Sequence, residues 1–72
     1  MVIGTYQRTF ENSKGVVHVV VTNSDVQGAS VSVLIRYGDS RADDQYGRSG
    51  LADFNQAIQL ADSYFQNEVQ KL

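Results

Sequence analysis

Residues 51–72 read LADFNQAIQLADSYFQNEVQKL, and the spacing of their apolar members decides the fold. Leu51, Phe54, Ile58, Ala61, Phe65, Val69 and Leu72 recur at steps of three and four, with Ala57, Leu60 and Tyr64 widening the stripe. Residues so spaced share one face of a helix with 3.6 residues per turn, so the pattern predicts one long amphipathic helix. Ser49 is the expected N-cap, Asp53 lies near the positive end of the helix dipole, and Lys71 near the negative end. The opposite face carries the amides Asn55, Gln56, Gln59, Gln66, Asn67 and Gln70, relieved only by Asp62, Ser63 and Glu68. Amides offer donors and acceptors without the desolvation cost of charges, so this face is compatible with an interface as well as with solvent.

Upstream of the helix the period changes from 3.6 to two. Residues Ala29–Tyr37 alternate, with Ala29, Val31, Val33, Ile35 and Tyr37 on one side and Ser30, Ser32, Leu34 and Arg36 on the other. Residues Gly15–Thr22 are dense in β-branched side chains, which favour a pleated surface. A third strand is expected over about Val2–Glu11, with Val2, Tyr6 and Phe10 inside and Arg8 escaping from the same side at an edge. The links Asn12-Ser13-Lys14 and Asn23-Ser24-Asp25 are turn-forming, so the strands should pair as an antiparallel meander. Residues 38–49 read as a flexible polar loop, with a short fourth strand around Gln45–Arg48 as the alternative. The expected fold is α+β: a three-stranded, or four-stranded, antiparallel meander with one C-terminal helix on one face. Residues 1–72 leave room for one domain.

Two mismatches bear on function. A helix of about 22 residues is roughly 33 Å long, while strands of eight or nine residues span about 28 Å, so Val69 and Leu72 should overhang the sheet. One helix covers one face only. Val16, His18, Val20 and Leu34, with Ile3, should then lie on the uncovered face beside Ser32, Arg36 and Thr22. A contiguous apolar surface on a small domain marks an interface.

Composition narrows the chemistry. The 72 residues include no cysteine and no proline, are 42% hydrophobic and 19% charged, and carry a net charge of −2. Disulfides, thiolate metal sites and cysteine nucleophiles are excluded. The acidic balance is the opposite of the basic surplus that phosphate binding uses. No apolar run approaches the ~20 residues of a membrane span, and Met1-Val2-Ile3-Gly4-Thr5 lacks the basic start of a secretion signal. A cytoplasmic location is the expectation.

No residue pattern carries catalysis. His18, the single histidine, sits among valines and reads as a strand residue with a structural or interface role. Asp39, Asp43, Asp44 and Asp53 do not match a calcium loop, because Arg41 interrupts them and the late glutamate is missing. Gly47-Arg48-Ser49-Gly50 is no phosphate loop and reads as a lead-in to the helix, though a helix N-terminus next to Arg48 attracts anions. No metal, cofactor or catalytic residue is therefore expected.

Basic and aromatic residues interleave at Tyr6, Arg8, Arg36, Tyr46 and Arg48, a mixture that can stack bases and grip a phosphate backbone. The strand-strand-strand-helix order, with Lys14-Gly15-Val16-Val17 opening the second strand, resembles in architecture the single-stranded-DNA-binding fold of transcriptional coactivators. That likeness implies a fourth strand and a basic surplus, neither evident in the sequence. In size and charge the chain is also similar to small phage-encoded inhibitors of host defence, anti-CRISPR proteins among them. The first expectation is a non-enzymatic regulator or inhibitor acting by protein–protein contact, self-associating as a homodimer. Its candidate contact residues are Val16, His18, Val20, Leu34, Arg36, Val69 and Leu72. A single-stranded nucleic-acid-binding module is the alternative.

Overall fold

In a computed structural model, which describes residues 2–72 and their side chains from Ile3 onward, four strands precede one helix. The strands are β1 (Val2–Asn12), β2 (Gly15–Ser24), β3 (Gly28–Tyr37) and β4 (Asp44–Leu51), and the helix α1 is Phe54–Lys71. The strands pair in sequence order as an antiparallel meander, β1-β2-β3-β4. The inward placement expected for Val2 concerns a side chain outside the described residues.

The turns form where side chains can replace backbone partners. The Asn12 carboxamide oxygen accepts from the backbone N–H groups of Lys14 (2.8 Å) and Gly15 (3.2 Å), closing the first hairpin. The Ser24 hydroxyl accepts from those of Val26 and Gln27 in the second, which ends on Gly28 at φ 77°, a conformation glycine adopts without strain. Both are the local side-chain-to-backbone bonds that make Asn and Ser turn residues.

The core lies on one face of the sheet. Val17, Val19 and Val21 of β2 are fully buried, and Ala29, Val31, Val33 and Ile35 of β3 nearly so. Helix α1 lies over these two central strands. It meets them with Ala57 and Ala61, both fully buried, and with Phe65. Phe54 and Ile58, members of the same apolar stripe, pack partly exposed around its margin with Leu60, Tyr64, Val69 and Leu72. The alanines explain this arrangement: with only a methyl group at the contact, the helix settles close onto a valine surface.

Three expectations need correction. The segment read as a loop over 38–49 is irregular only to Asp43, because Asp44–Leu51 pairs with β3 as a full strand. The helix starts at Phe54, and its N-cap is Asp53 rather than Ser49. The Asp53 carboxylate accepts from the Asn55 N–H at 2.9 Å, while Ser49 lies within β4. Leu51 therefore belongs to the sheet. The third correction concerns the overhang. At 18 residues the helix is about 27 Å long, shorter than ten-residue strands of about 33 Å. Val69 and Leu72 pack against the core and form no projecting contact.

β4 carries a bulge. Ser49 and Gly50 together oppose Ser30, with Gly50 at φ 72°. Gly47, opposite Ser32, has a different role: a Cβ there would sit 2.3 Å from the Val31 carbonyl oxygen, so only glycine lets β4 approach β3 this closely. The Cα trace measures 39 × 19 × 14 Å, the thinness of one helix on one sheet, and the second sheet face remains uncovered.

Candidate interaction surface

Strand pleating assigns every side chain to the helix side or the outer side. Register places Val16 opposite Arg36, His18 opposite Leu34 and Val20 opposite Ser32. All these alternate with buried residues and so point outward. Leu34 is the direct neighbour of His18 and the diagonal neighbour of Val16 and Val20, so the four form one patch. Each is partly exposed. No described element covers them.

The patch has a polar border. From β1, Thr9 Oγ1 and His18 Nδ1 share a hydrogen bond at 2.7 Å. Thr22 and Ser30 hydroxyls bond each other at 2.8 Å. Arg36 pairs with Asp43 at 3.6 Å on a well-exposed part of the surface. Five of the seven proposed contact residues, Val16, His18, Val20, Leu34 and Arg36, thus share the outer face. Val69 and Leu72 belong to the opposite side. Ile3 is 59% exposed at a bulge in β1, where Val2 pairs with Ser24 and Gly4 with Asn23.

The five residues of the nucleic-acid reading do not assemble into one surface. Tyr6 and Arg8 point to the helix side of β1, where both donate to the Asp62 carboxylate, at 2.8 and 3.2 Å. Arg8 also lies over the Phe65 ring, 4.4 Å from its centroid. This is the edge escape expected of Arg8. Tyr46 and Arg48 point to the helix side of β4, opposite Val33 and Val31, and Arg36 points the other way. Two of the three arginines are matched by carboxylates.

The acids are likewise dispersed. Asp39 pairs with Arg41 at 3.0 Å, Asp43 with Arg36, Asp44 opens β4, and Asp53 caps the helix. The Arg41 guanidinium, hydrogen-bonded to Asp39, holds that carboxyl below its usual range. Among the described residues no group of three or more histidine and carboxylate side chains is placed to hold a metal ion.

One cluster escaped the reading of the sequence. Glu68, counted with the solvated helix face, is buried at 7% exposure, and Lys71 donates to it at 2.9 Å. It follows Phe65 by three residues and so shares the buried stripe, which was the available signal. Tyr46 meets Tyr64 edge to face, centroids 5.3 Å apart. Burial, and then the Glu68 charge, push the Tyr46 phenol up to about 12.

A pKa raised by folding means the neutral phenol is favoured in the folded state. Its contribution is complete below about pH 10 and is lost as pH climbs toward 12. Tyr46→Phe, which cannot ionise, should flatten this alkaline loss. With Tyr46 38% exposed the difference is small, read as a smaller drop in urea midpoint between about pH 9 and 11.5.

The described helix is not long and apolar enough to cross a membrane. Comparison with known proteins returns no match to this chain, neither a family model, nor a curated protein sequence, nor a solved structure.

Proposed function

We propose that this chain is a non-enzymatic binding protein, a regulator or inhibitor that works by protein–protein contact through the outer face of its sheet. One observation carries the reading: Val16, His18, Val20 and Leu34 adjoin on a face that no described element covers. Removing an apolar patch from water contributes about 25 cal/mol per Å², before the cost of association is subtracted. The border of Thr9, Thr22, Ser30 and Arg36 supplies the hydrogen-bonding rim that surrounds the apolar centre of an interface.

The test is capture from the source cell's extract, with the wild-type chain and Leu34→Lys compared side by side. Leu34 is partly exposed, so a lysine there can reach solvent and the fold should survive, as circular dichroism will check. The expected result is a saturable protein partner that Leu34→Lys binds at least tenfold more weakly. Two results would sink the reading. One is a partner held equally by both proteins. The other is a nucleic acid as the sole ligand, recognised by affinity that collapses as salt rises.

A further inference from the structure

We propose that the chain also self-associates along a second surface, the free edge of β4, which pairs antiparallel with β4 of another copy about a two-fold axis at Tyr46. The meander leaves two edges, β1 and β4. A free edge presents unpaired backbone N–H and C=O groups that invite another strand. Each edge carries a bulge and inward-pointing charge, features that discourage pairing with an arbitrary strand. On β1 that charge, Arg8, is already held by Asp62 and Phe65. On β4 the bulge at Ser49 and Gly50 lies beyond a regular stretch from Asp44 to Arg48 whose every residue is exposed, and the inward charges, Asp44 and Arg48, are of opposite sign.

The charge pattern of that stretch is self-complementary. Asp44, Tyr46 and Arg48 alternate onto the helix side of β4. In an antiparallel pair centred on Tyr46, Asp44 of each copy lies directly across from Arg48 of the other, and the two Tyr46 side chains meet between them. Oppositely charged residues facing each other across strands stabilise the pair. Shifting the centre to Gln45 or Gly47 loses both charge matches. Tyr46 is also the midpoint of the regular stretch, so backbone geometry and charge select the same register. Among the described residues neither side chain makes a close ion pair within the chain; Arg48 is unmatched, and Asp44 feels only the longer-range attraction of Lys71, which Glu68 already holds.

The resulting dimer has one continuous sheet with both helices on the same side, and an isologous contact of the kind that closes in two copies. The two outer faces join into one surface, so the dimer and the outer-face partner are compatible and rest on separate residues. Pairing over so few residues buries less than the ~1,200–2,000 Å² of a standard interface, the size of weak and transient contacts, so the dimer is to be sought at roughly 10 µM to 1 mM.

Sedimentation equilibrium across that concentration range provides the test, with charge reversal as the probe. Asp44→Arg alone and Arg48→Asp alone each set like charges opposite one another and should weaken the dimer at least tenfold. The double variant Asp44→Arg/Arg48→Asp restores the opposite-charge pairs and should return the dimer to near wild-type strength. Leu34→Lys should leave it unchanged. A wild type that remains monomeric to about 1 mM overturns the proposal. So does a dimer that Leu34→Lys abolishes, which would place self-association on the outer face. A folded double variant that is no stronger a dimer than the single ones overturns it too.

Discussion

Phe65→Ala is expected to lower the unfolding free energy by about 3–5 kcal/mol, the range for removing a buried phenylalanine. Phe65 is 7% exposed and is the largest side chain among the buried helix residues. Its loss opens a cavity above the valine rows of β2 and β3. It also removes the ring under Arg8, whose guanidinium sits 4.4 Å from the centroid. A chain of 72 residues should have a stability near the low end of ~5–15 kcal/mol, so this variant would keep only about 0–2 kcal/mol and, at the upper cost, would be half unfolded without denaturant. Urea denaturation followed by circular dichroism measures the effect. Phe65→Leu separates the two contributions, since it keeps most of the volume and loses only the ring, and should cost less than about 1.5 kcal/mol. A midpoint for Phe65→Ala equal to wild type would mean that the helix does not rest on this side chain.

Ala61→Leu is expected to destabilise from the opposite cause. Ala61 has no exposed surface, and the valines of the sheet beneath the helix are equally closed. Three added carbons have no space to occupy, so the helix must lift or the side chain must take a strained rotamer. Overpacking of this kind costs about 1–3 kcal/mol, although leucine is a good helix former and more apolar than alanine. The same substitution at Gln59, on the exposed face, should be within about 0.5 kcal/mol of wild type. Thermal melting of both variants decides the point. Equal melting temperatures would show that the alanines do not set the helix–sheet distance.

The helix and the two central strands were legible because burial imposes a period on them. Val17, Val19 and Val21 beside Val31, Val33 and Ile35 could face only one way. β4 was legible only as the alternative of a short strand around Gln45–Arg48, because most of its side chains meet solvent on both faces, and no hydrophobic alternation is then required. Gln45-Tyr46-Gly47-Arg48 reads equally well as a loop. The helix start was ambiguous for a related reason. Leu51 fits the helical stripe and also fits opposite Ala29 in the sheet, and both Ser49 and Asp53 are good capping residues. Tertiary pairing of β4 decides between them. Once Leu51 belongs to the sheet the helix shortens, and the expected overhang of Val69 and Leu72 disappears. Of the candidate surface, the outer-face members followed directly from strand alternation. Glu68 was misplaced because a carboxylate on an amide-rich segment reads as solvated, although its spacing from Phe65 put it on the buried side.

The meander has a consequence for how the molecule is made. Every strand pairs with its neighbour in sequence, so the sheet can assemble by successive hairpin closures with little loop entropy to overcome. The helix comes after all four strands, yet it provides the cover for β2 and β3. Until the helix docks, a sheet formed by the four strands has both faces bare, and Val19 and Val33 are as accessible as Val20 and Leu34. A chaperone can meet the valine-rich face only before docking of the helix closes it.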